Sequence, residues 1–119
     1  HAGWRGLLGG VLVNTVNAFI EAPSSLRVWL GPCIRQPRFE VGAEVRDKFL
    51  ANFVGPSPGD IDSAFVNSPN PGHYRCDLAG LAAMQLRARG LCSYDDPRFY
   101  SYRRDNPCGR FASLIYRAP

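Results

Sequence analysis

Two short segments concentrate the side chains able to do chemistry. The first is HAGWRG, His1 to Gly6, where an imidazole suited to binding metal or moving protons stands four residues before the Arg5 guanidinium. The second is SYRRD, Ser101 to Asp105, where Arg103 and Arg104 adjoin Tyr100 and Tyr102. Guanidinium forks suit phosphate or carboxylate, and flanking aromatic faces suit a planar base or ring. The competing reading pairs both arginines with Asp95, Asp96 and Asp105.

The only other histidine, His73, lies in NPGHYR, which reads as an exposed, turn-like loop. If His1 carried a free amino terminus, its two nitrogens and His73 would make a nitrogen-rich set suited to Cu(II), an alternative for the first segment. Cys33, Cys76, Cys92 and Cys108 lie far apart with no C-x-x-C pair, so neither a zinc ribbon nor a thioredoxin motif is encoded. Free, buried thiols are expected, Cys33 among them, in a reducing compartment. The P-loop, the Rossmann glycine pattern, the serine-hydrolase elbow and H-E-x-x-H are absent from the sequence.

Elements to position these residues follow from apolar spacing. Leu8, Val11, Leu12, Val16 and Phe19 predict one helix from Gly6 to Ala22, stopped by Pro23, with Gly9 and Gly10 implying close packing near its start. Alternation of Leu26, Val28 and Leu30 predicts a strand, and Val41, Val45, Phe49 and Phe53 a second helix. Proline, glycine and polar residues make Gly55 to Gly72 a surface loop with at most a short strand at SAFV. Asp77 caps a third helix that ends at Gly90, and RFASLIY reads as a closing strand. The fold class expected is α+β, with mixed α/β alternation and a layered mixed sheet flanked by helices. Three helices outnumber what so few strands can cover, so part of the sheet reads as missing.

At 119 residues, 45% hydrophobic and 20% charged, the chain reads as a single domain over 1–119. Its net charge of +4 is almost all arginine, spread rather than bunched, which argues against nucleic acid as a partner. No apolar run approaches the ~20 residues of a membrane span, and no signal-peptide pattern is present, so no membrane is expected and the compartment is the cytoplasm. A small-molecule substrate is the expected partner, with a homodimer left open.

Four segments together resemble one family. HAGWRGLLGGVL, VWLGPCI leading into FEVGAEVRDKFL, GLCSYDDPRFYSYRRD and GRFASLIY look like the C-terminal half of the laccase-like multicopper polyphenol oxidoreductase family, whose members also carry the name purine nucleoside phosphorylase. The resemblance implies a cytoplasmic metalloenzyme binding one zinc, or copper, through two histidines and a cysteine. His1 matches the motif's histidine and inherits the role of metal ligand; the other two ligands lie upstream in the family. Arg5, Arg103 and Arg104 are candidates, on chemistry, to hold phosphate and a purine nucleoside. The activity implied is phosphorolysis of adenosine or inosine, with adenosine deamination beside it. Polyphenol oxidation of the laccase type and editing of peptidoglycan precursors are the alternatives, and an inactive fragment is the non-enzymatic one. Trp4 is expected to buttress His1, and Phe39 stands where relatives often have tyrosine. RARG running straight into LCSYDD leaves out a short segment expected in relatives.

Overall fold

Glycine decides how the chain begins. The computed structural model describes residues 1–28 and 30–91, together with the backbone of 115–117. The predicted helix over 6–22 is two helices, α1 (Trp4–Leu8) and α2 (Val11–Asn17), and the break is Gly10, whose φ of 84° is a left-handed conformation. A side chain is disfavoured there by its own backbone, so Gly10 makes the corner, while at Gly9 the close approach expected is present: a Cβ would meet the Arg5 carbonyl oxygen at 3.1 Å. A Cβ on Gly10 would meet nothing nearer than Asn14 Nδ2 at 3.9 Å.

The chain then forms β1 (Leu26–Val28), β2 (Glu40–Gly42), α3 (Ala43–Asn52), α4 (Pro58–Ser63), β3 (Phe65–Asn67), β4 (His73–Cys76), α5 (Leu78–Ala88) and β5 (Ile115–Arg117). Val41, Val45, Phe49 and Phe53 are all buried in one cluster, as their spacing predicts, but Val41 sits in β2 and Phe53 lies past the end of α3. The loop expected over 55–72 holds α4 and β3. Ser57 caps α4 by accepting from the Asp60 N–H at 3.1 Å, and Pro58 fills the first helical position, where no N–H is needed.

The mixed α+β class is as expected. The described strands divide between two antiparallel sheets rather than joining one: β1 pairs with β5, and β2-β4-β3 form a three-stranded sheet. In the second sheet Glu40 faces Arg75 and Gly42 faces His73 across β2 and β4. One face therefore carries polar side chains, while Val41, Phe65 and Cys76 turn into the core.

That core has two parts. The larger gathers Leu7, Val41, Val45, Phe49, Phe53, Ile61, Ala64, Phe65, Cys76, Leu81 and Ala82, with the Phe49 ring 5.0 Å from Phe53 and 5.8 Å from Phe65. The smaller gathers Val16, Leu26, Val28, Leu86 and Leu91. Helix α5, capped by Asp77 and followed by Gly90 at φ 80°, contributes to both. Among the described residues no helix is long and apolar enough to cross a membrane.

Candidate functional site

The HAGWRG segment is anchored from below. Leu7 is buried, and its N–H donates to the Gly3 carbonyl at 2.9 Å, closing the first turn of α1. Trp4 is half-buried and packs against the larger cluster, which places its indole between core and solvent. His1 and Arg5 are exposed. The Arg5 guanidinium carbon lies 4.3 Å from the centroid of the Trp4 ring, and Lys48 Nζ, reaching across from α3, lies 5.7 Å from the same centroid. Trp4 thus packs against the core and holds two cations against its ring.

Among the described residues neither cation has a carboxylate partner, whereas Arg46 on the same helix as Lys48 pairs with Asp62. Arg46 donates through Nε at 2.9 Å and Nη2 at 2.6 Å to Asp62 Oδ1, and its guanidinium carbon lies 5.1 Å from the Tyr74 ring centroid. Glu44, one helical turn before Lys48, folds back over Gly42, where a Cβ would strike its carboxylate.

The remaining candidates scatter. His73 opens β4 instead of sitting in a loop, exposed, with Nδ1 placed to donate to the Pro71 carbonyl at 3.0 Å. Nearby, Asn70 Nδ2 donates to both Glu40 carboxylate oxygens at 2.7 and 3.1 Å, which chiefly holds that carboxyl below its ordinary range. Cys33, expected to be buried, is exposed, because GPCIRQP runs over the surface before β2. Partial desolvation, and then the Asp77 carboxylate, raise its thiol pKa against the opposing pull of Arg35. That shift is the reverse of what an activated nucleophile needs. Cys76 is fully buried, as expected, and burial with Asp77 pushes its thiol up to about 12. Arg103, Arg104, Cys92 and Cys108 lie outside the described residues.

A zinc site takes three or four protein ligands. Among the described residues no three His, Cys, Asp or Glu side chains come close enough to hold an ion, so His1 and His73 are not gathered with a third. His1 fits the role of a single exposed donor, and any further ligands would come from outside the described residues.

A family model described as multi-copper polyphenol oxidoreductase laccase matches residues 1–118. The chain belongs to that family. Within this laccase-like family it is 46% identical to a protein of Pseudomonas aeruginosa named purine nucleoside phosphorylase PA4543, over 98% of this chain and 50% of the relative. It is 40% identical to purine nucleoside phosphorylase YfiH of Escherichia coli, over 98% of this chain and 49% of the relative. A crystal structure of Neisseria meningitidis protein NMB0706 superposes with a TM-score of 0.67 at 39% identity, over 100% of this chain and 50% of that one. The chain spans about half the length of the curated relatives it matches.

Lys48 is the functional candidate that sequence reading misses. A single lysine on the polar side of a helix reads as a solvated charge, and only the crossing of α1 over α3 brings it to Trp4.

Proposed function

We propose that the chain is the C-terminal part of a metal-dependent purine nucleoside phosphorylase. The observation that carries this is the HAGWRG segment. It sets the Arg5 guanidinium against Trp4, four residues from an exposed His1, in a chain similar along its length to relatives of that name.

Phosphorolysis needs an inorganic phosphate held beside C1′ of the ribose. A phosphate oxygen forms a bond to C1′ as the glycosidic C–N bond breaks, and the electron pair leaves with the purine, which takes up a proton. Arg5 is suited to hold the phosphate, because a guanidinium fork matches two phosphate oxygens and its position against the indole limits its rotamers. Arg103 and Arg104 are assigned to the same substrate by their chemistry. His1 would supply one ligand of zinc, or of copper in its place. A zinc ion with an open position brings the pKa of a bound water to about 7, the chemistry that adenosine deamination would draw on. The free thiols of Cys33 and Cys76 accord with a cytoplasmic setting.

The test is release of free base and ribose 1-phosphate from inosine or adenosine with phosphate by the intact protein. His1→Ala is expected to remove bound metal and phosphorolysis together; activity and metal content both unchanged would overturn its ligand role. Inosine formed from adenosine without phosphate would report the deaminase reaction. The family's description as a polyphenol oxidoreductase favours a second reading, tested by dioxygen uptake with a phenolic substrate.

A further inference from the structure

Lys48 is the only lysine among fourteen basic residues, and the fold spends it at one place, the Trp4 ring. Three observations set it apart from a solvated surface charge. Its flanking residue Phe49 is fully buried, which fixes the rotation of α3 and directs Lys48 along the edge of the core toward α1. Its natural helical partner, Glu44 at i−4, is turned away over Gly42, and Asp47 lies 3.7 Å from Arg46. The third observation is Arg5, held at the same ring and, like Lys48, without a carboxylate among the described residues.

Two cations gathered on one indole, with Asp47 beside Arg46 and Glu44 turned over Gly42, offer an anion charge from two sides. The two centroid distances place the charges no more than about 10 Å apart. A phosphate accepting a charge-assisted hydrogen bond of about 2.8 Å on each side spans a gap of about 8 Å, within reach of both flexible side chains. We propose that Lys48 and Arg5 together form an oxyanion site at Trp4, with inorganic phosphate or a phosphoryl group as its ligand. The assignment of that ligand as the attacking phosphate rests on the phosphorylase reading; the two-cation site itself does not.

The experiment is titration calorimetry of the intact protein with inorganic phosphate at low salt, for the unaltered protein, Lys48→Ala, Lys48→Arg, Arg5→Ala and the double variant Arg5→Ala/Lys48→Ala. Lys48→Ala should weaken phosphate binding about tenfold, and Lys48→Arg should recover most of that loss, since charge rather than shape is removed. The double variant should lose less than the product of the single losses, as two groups sharing one anion require. Lys48 is exposed and alanine favours helix, so unchanged thermal melting is the control for folding.

A phosphate Kd for Lys48→Ala within twofold of the unaltered protein overturns the site. Kinetics separate the two proposals. If phosphorolysis proceeds and Lys48→Ala raises the KM for phosphate with kcat nearly kept, both stand. If that KM is unmoved, the assignment of the ligand as the attacking phosphate falls and the phosphorylase reading survives. Should purine nucleosides yield no ribose 1-phosphate while phosphate binding still depends on Lys48, the phosphorylase reading falls and the oxyanion site remains.

Discussion

The two halves of the core are built on different principles. The larger cluster draws on α1 and on β2, α3, α4, β3, β4 and α5, the last six consecutive in the chain, and it is centred on three phenylalanine rings. The smaller joins α2, β1 and the far end of α5, and its sheet is completed by β5, where Leu26 pairs with Arg117 across most of the chain. The larger cluster therefore closes mainly between neighbouring elements, whereas the sheet of the smaller one depends on a distant strand. Trp4 and its two cations rest on the larger one, where α1 meets α3.

That contrast is open to attack by substitution. Phe49→Ala removes a fully buried ring at the meeting point of the cluster and should cost about 3–5 kcal/mol in urea unfolding, weakening phosphate binding as α3 loosens beneath Lys48. Leu86→Ala, in the smaller cluster, should cost about 2–3 kcal/mol but leave phosphate affinity within twofold in the folded fraction. Equal loss of binding in the two variants would show that the clusters do not act separately.

Cys76 gives a pH handle on the larger cluster. Its native pKa of about 12 lies above the ordinary 9.0, so folding favours the neutral thiol. The associated stability is complete below about pH 9 and is lost as pH rises toward 12, amounting to about 1.4 kcal/mol by pH 10. Cys76→Ala should flatten that decline, and in the native protein Cys33 should react with a thiol reagent well before Cys76. The smallest effect is expected from Asp77→Ala. It removes the acceptor for the Gly80 N–H at 2.9 Å and should cost about 1 kcal/mol, read as a lowered melting temperature.

How much of this the sequence discloses depends on whether a local signal stands alone. Asp77 and Gly90 bracket α5 because a cap and a left-handed glycine are local devices. Strand β4 escapes, since His73 and Arg75 occupy the polar face of a sheet that only the pairing with β2 and β3 creates. Helix α4 escapes because Ser57 and Pro58, a sound helix start, sit among prolines and glycines that read as turns. In the site, His1 and Arg5 stand out by motif, whereas Lys48 acquires its meaning from tertiary contact with Trp4.

Helix α5 passes from one cluster to the other at Gln85, which is 2% exposed and donates through Nε2 to the Val54 carbonyl at 2.9 Å, while its Oε1 has no partner among the described residues. An all-leucine helix face at this seam would tolerate sliding by a fraction of a turn. The amide does not, because any axial shift breaks its one bond to the chain leaving α3. Gln85 thus works as an index pin, tying α5 at the seam of the two clusters to the chain that leaves α3.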